Sequence, residues 1–152
     1  MPNGRETDRE IVNHPSSVCV VPVDADRNVI LVRQFRKPAG QFLLEAPAGK
    51  MQPGEVPEAA AIRELQEEIG HFPGRLQSLG VFFMNPGLSP QCMHAYLTTD
   101  LKPSELDADD DEFIELRRVP WTDIPTLIAA GAIQDAKSIA ALLLAMRVLG
   151  DN

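Results

Sequence analysis

Glu64, Glu67 and Glu68 are spaced three and four residues apart, in a stretch from Pro57 to Ile69 that reads as one amphipathic helix. At 3.6 residues per turn the three carboxylates fall within an arc of about 100°. Ile62, Leu65 and Ile69 form an apolar stripe on the opposite side. Like charges at these spacings repel by about 0.2–0.5 kcal/mol per pair. Arg63 can relieve part of that through Glu67, four residues on. A hard divalent cation relieves far more, because such ions take carboxylate oxygens. The arrangement therefore suits metal binding and, through the metal, a phosphate-bearing substrate. Without a cation the same face would be a solvated acidic surface.

The elements that must position this helix read as follows. Ser17–Val23 and Val29–Phe35 are apolar and β-branched, and the turn Asp24–Asn28 between them predicts a hairpin. Glu10–Asn13 is a candidate extended piece. Phe42–Ala46 is a third short strand, ended by Pro47-Ala48-Gly49. Pro57 suits a first helical turn, and Gly70 a helix end. Leu76–Phe83, Met93–Thr98 and Phe113–Val119 read as strands, with a rigid loop from Met84 to Pro90 and an acidic loop from Glu105 to Glu112. Thr122–Ala130 reads as a helix capped by Gly131, and Asp135 as the N-cap of a longer helix to Leu149. Strict βαβ alternation is missing, so the expected class is α+β, a sandwich with a mixed sheet.

The chain has 152 residues and a formal net charge of −8, which suits one domain over 1–152 with 1–14 as a short N-terminal extension. The acidity excludes a general nucleic-acid binder, which needs a basic face for phosphates. No apolar run approaches 18 residues and no targeting signal opens the chain, so neither membrane insertion nor export is expected. Cys19 and Cys92 lack metal spacing and read as reduced core thiols of a cytoplasmic protein. Twelve of the 22 acids fall within 55–68 and 105–115.

The context of the helix goes further. Gly49, five residues, Glu55, seven residues and then Arg63-Glu64-Leu65-Gln66-Glu67-Glu68-Ile69-Gly70 resembles the Nudix box of the Nudix hydrolases. The final aliphatic position of that box is His71 here. The resemblance implies a loop–helix–loop in a Nudix-type α/β/α sandwich, and hydrolysis of a nucleoside diphosphate linked to another group. It implies two or three Mg2+ or Mn2+ ions held by Glu64, Glu67 and Glu68, with the Ala48 carbonyl as a further metal ligand. Arg63 would then orient carboxylates through Glu45 or Glu55.

Val32–Arg36, Leu44–Gly49, Asp111–Glu115 and Asp135–Ala141 look like the ADP-ribose pyrophosphatase subgroup. So does Pro86, the marker proline about 15 residues after the box. The similarity implies a nucleotide-sugar substrate, ADP-ribose first and GDP-mannose or another nucleotide sugar as the alternative. It also implies a homodimer. A non-catalytic nucleotide-binding regulatory module is the rival from another class. Glu64 and Glu68 are the expected catalytic carboxylates, and the general base is expected at Asp109 or Asp111, with Glu112 next. Arg33 and Arg36 are candidates to bind phosphate or stack on a base, with surface salt bridges as the plain alternative. Glu45, Met84, Pro86 and Gly87 complete the expected substrate contacts. The loop after Pro86 lacks the acidic pair of the subgroup.

Overall fold

Every residue of β1 (Ser17–Pro22) is buried. Its side chains alternate between two cores, which places the strand at the centre of the molecule. Val18 and Val20 pack with Ala60, Ala61, Leu65 and Ile69 of α1 (Pro57–Ile69). Cys19 and Val21 pack with Ala141, Leu142 and Ala145 of α3 (Ala136–Leu149), and with Trp121 and Ile124. Helices thus cover both faces of the sheet, as an α/β/α sandwich requires. The computed structural model describes residues 4–104, 106 and 114–150.

Among the described residues, β1 lies in a mixed four-stranded sheet of order β4-β1-β7-β6. It is antiparallel to β4 (Ala48–Lys50) and parallel to β7 (Cys92–Thr98). β6 (Gln77–Phe83) closes the other edge antiparallel to β7. A second, antiparallel sheet has the order β3-β2-β9, from β2 (Asn28–Arg36), β3 (Gln41–Glu45) and β9 (Ile114–Pro120). β5 (His71–Pro73) and β8 (Leu101–Pro103) pair beside the end of α1. The short helix α2 (Ile124–Ala129) precedes α3.

The expected hairpin of residues 17–23 with 29–35 does not form. Among the described residues β1 and β2 belong to different sheets, with the isolated bridge Val23–Val29 between them. The reason is that both edges of β1 are already taken, by β4 and β7. Glu10–Asn13 joins no sheet, although the Val12 N–H donates to Leu88 O at 2.9 Å. Among the described residues, no helix is long and apolar enough to cross a membrane.

Candidate active site

Helix α1 begins where expected. Val56 is extended, Pro57 occupies the first turn and Glu58 lies beside the positive helix end. It stops at Gly70, whose φ of 67° is left-handed and whose N–H bonds back to the Gln66 carbonyl at 3.2 Å. Glu64 and Glu68 are not on the solvent side. Both are 8% exposed and lie next to Leu65 and Ile69 on the buried face. The wheel gave their angle correctly, but β4 covers that side as well. The Ala48 N–H donates to Glu68 Oε2 at 3.0 Å. Gly49 passes so close to Glu64 that a β-carbon there would overlap its carboxyl group.

Arg63 joins four carbonyl and carboxylate acceptors at the edge of this floor. Its Nε and Nη2 donate to the two oxygens of Glu55, at 3.0 and 3.1 Å. Nη1 donates to Glu64 Oε1 at 2.8 Å and to Glu67 Oε2 at 2.7 Å. Nη2 also reaches the Lys50 carbonyl at 3.0 Å. The arginine partner is therefore Glu55, and Glu45 is engaged elsewhere. The bond to Arg63 holds the Glu55 carboxyl below its ordinary range, and the Arg63 guanidinium is correspondingly raised.

Glu45 is 1% exposed at the end of β3. Arg36 grips it with two bonds of 2.8 Å, Nε to Oε1 and Nη2 to Oε2. Lys137, from the first turn of α3, donates to Glu45 Oε2 and, at 2.8 Å, to Asp135 Oδ2. Asp135 caps α3 by accepting from the Ser138 N–H at 2.9 Å. The Ser138 hydroxyl donates to Asp135 and accepts from the Ala46 N–H at 2.8 Å. Burial acts to raise the Glu45 carboxyl, but the bonds from Arg36 and Lys137 overcome it and its pKa falls below the ordinary value. Burial likewise acts against the Lys137 ammonium, and Asp135 and Glu45 overcome that too, so its pKa is raised.

The acidic floor and this cationic cluster share one cleft of about 650 Å3. Ala48, Gly49, Arg63, Glu64 and Glu67 line it on one side, and Arg36, Asp135 and Lys137 also border it. The NUDIX domain family matches residues 13–142 of the sequence. The chain belongs to the Nudix family.

Relatives and a solved structure agree with that membership. This Nudix chain is 38% identical over 144 residues to an ADP-ribose pyrophosphatase of Bacillus subtilis (strain 168), covering 93% of the chain and 78% of the relative. It is 35% identical over 144 residues to a methanol dehydrogenase activator of Bacillus methanolicus, with the same coverage. A crystal structure of an ADP compounds hydrolase superposes with a TM-score of 0.82 at 28% identity, covering 90% of this chain and 75% of that one.

The Nudix box can be tested against a divalent cation by its donors. Glu64 and Glu67 are turned to Arg63 and Glu68 to the Ala48 N–H, and among the described residues no three His, Cys, Asp or Glu groups form a ready-made ion cage. The donor chemistry fits a hard ion all the same. Three carboxylates stand within two helical turns, and Arg63, which pairs with Glu64 and Glu67, is shared with Glu55. These five side chains carry four negative charges against one positive. An oxygen-rich, net-negative pocket selects hard cations.

The other expected site residues are placed as follows. Arg36 and Met84 line the Nudix cleft. Glu45 and Glu68 do not line it and lie just behind its wall. Arg33 lies 3.9 Å from the centre of the Phe42 ring and pairs with Glu115 at 3.2 Å, away from the cleft lining. Pro86 and Gly87 are exposed in the turn after β6 and are not in the lining. Asp109, Asp111 and Glu112 lie outside the described residues. Sequence reasoning missed Lys137, His14 and Gln91 as lining residues. The Asp135–Ala141 segment held the only signal for Lys137, since Asp135 read as a cap and placed Lys137 in the first turn.

Proposed function

We propose that this Nudix chain hydrolyses the pyrophosphate bond of nucleoside diphosphate sugars, ADP-ribose first, giving a nucleoside monophosphate and a sugar phosphate. The observation that carries the reading is the pairing in one cleft of Glu64 and Glu67, with Glu68 just behind them, and the Arg36–Lys137 wall. Glu64, Glu67 and Glu68, with the Ala48 carbonyl, would hold Mg2+, and Mn2+ is the alternative. When bound, the ions neutralise phosphate charge and make water a stronger acid. Arg63 fixes the carboxylate rotamers, and Arg36 supplies N–H donors to a phosphate oxygen. A carboxylate of Asp109, Asp111 or Glu112 takes the proton of the attacking water. The new phosphorus–oxygen bond forms as the bridging one breaks, and the departing phosphate carries the electron pair away.

The same proposal takes residues 1–152 as one Nudix unit, homodimeric and cytoplasmic. The free thiols Cys19 and Cys92 suit a reducing compartment. The test is monophosphate release from a panel of ADP-ribose, GDP-mannose and other nucleotide sugars with Mg2+. Fastest turnover of ADP-ribose supports the reading, and a faster rival renames the substrate. Binding without turnover of any member would make the chain a regulatory module instead.

A further inference from the structure

Lys137 is a buried cation with no role in the steps above. It is 9% exposed, borders the cleft, and touches two carboxylates at once. Glu45 already has both oxygens bonded by Arg36, so a second cation is not needed to satisfy it. Charge counting shows what Lys137 adds. Glu45 and Asp135 carry two negative charges, and Arg36 and Lys137 carry two positive. The cluster is neutral only with Lys137 present. Without it, the wall beside the substrate becomes net negative, and both acids compete for the guanidinium that must face a phosphate. Arg36 is 36% exposed in its side chain, and among the described residues its Nη1 has no hydrogen-bond acceptor. That edge is available to a ligand in the cleft.

We propose that Lys137 is a positioning residue for the substrate's diphosphate: it cancels Asp135, holds Glu45 from behind, and so keeps Arg36 on the cleft wall with charge to spare for a phosphate oxygen. The proposal rests on the diphosphate-substrate reading above. A neutral wall does not repel an anion, and a bidentate clamp fixes the guanidinium plane without consuming all five of its N–H groups. Asp135 is a fit counterweight because it is held in place by its capping bond to the Ser138 N–H.

The test compares wild type, Lys137→Met, Asp135→Asn and the double variant in steady-state kinetics on ADP-ribose with Mg2+, and in calorimetric binding of ADP with Mg2+. Asn keeps the helix cap while removing the charge. Lys137→Met is expected to raise KM by about tenfold or more while kcat changes by less than about threefold. The double variant, neutral again, is expected to return KM to within about threefold of wild type. Asp135→Asn alone leaves the wall positive and is expected to lower KM, a sign that a structural role does not produce. An unchanged KM in Lys137→Met, no recovery in the double variant, or a raised KM in Asp135→Asn overturns the proposal. Should Lys137→Met fail to fold, the sign of the Asp135→Asn effect decides. Failure of the function reading is distinguishable: wild type then binds ADP without turning over any nucleotide sugar, and the order of Kd values among the variants tests the wall by itself. Absence of ADP binding by wild type overturns both.

Discussion

Gly49 lies against the carboxyl group of Glu64, in space that a β-carbon at position 49 would fill. The glycine is there for clearance. Its φ is not in the left-handed region, so backbone strain plays no part. Gly49→Ala is expected to displace the Glu64 carboxylate by about an ångström and lower kcat by about 100-fold, with a raised Mg2+ requirement. Metal titration of the initial rate checks this, and an unchanged Mg2+ dependence counts against Glu64 as a ligand.

Glu68 has one oxygen on the Ala48 N–H. Glu68→Gln preserves that acceptor and removes the charge. The expected loss is about 1,000-fold or more in kcat with little change in melting temperature. Near-normal turnover in a substrate assay would remove Glu68 from the metal set.

The acidic run is expected to hold the general base. Asp109→Asn, Asp111→Asn and Glu112→Gln are to be assayed one at a time. One of them is expected to lower kcat by about 100-fold or more and to flatten the acidic limb of the pH–rate profile. Full rate in all three moves the base to another part of the chain.

Glu45 makes stability depend on pH. Its folded-state pKa lies below the ordinary carboxyl value of 4.5. Its contribution is therefore complete above pH 4.5 and is lost as the pH falls through the lower folded-state value. Glu45→Gln is expected to cost about 3–5 kcal/mol at neutral pH, because it leaves Arg36 and Lys137 without their shared anion. As the pH falls below 4.5 the gap between variant and wild type is expected to narrow. Melting curves across pH decide it, and a gap that widens in acid contradicts the assignment.

Ser138 is fully buried and its hydroxyl is the acceptor for the Ala46 N–H. Ser138→Ala leaves that N–H unsatisfied inside the protein and is expected to cost about 1–3 kcal/mol in urea unfolding. The loss acts on the segment that carries Ala48 and Gly49, so kcat is expected to fall with it.

Local signals were legible in the sequence. Pro57 and Gly70 bounded α1, and Asp135 marked the start of α3, because caps are chosen by nearby backbone groups. The box spacing brought Glu55, Arg63, Glu64 and Glu67 together, as their bonds show. Long-range facts were not legible. β4 is three residues long and contains a glycine, which is too little pattern to read as a strand. The hairpin was misread because nearness along the chain cannot reveal that β1 spends both edges on partners from elsewhere. The wheel placed the three glutamates relative to one another, but no period says which side a second element will cover. Lys137 escaped notice because its partner Glu45 is 92 residues away.

The parallel pairing of β1 with β7 has a further consequence, in time. It joins Ser17 to Met93, and a closure across that much chain costs about 4 kcal/mol of loop entropy before any contact repays it. β4 is an edge strand whose sheet neighbour is β1, so the floor beneath Glu64 and Glu68 is set on the strand that this long-range pairing anchors. The cleft therefore depends on pairings between distant parts of the chain, which form more slowly than the local contacts within α1.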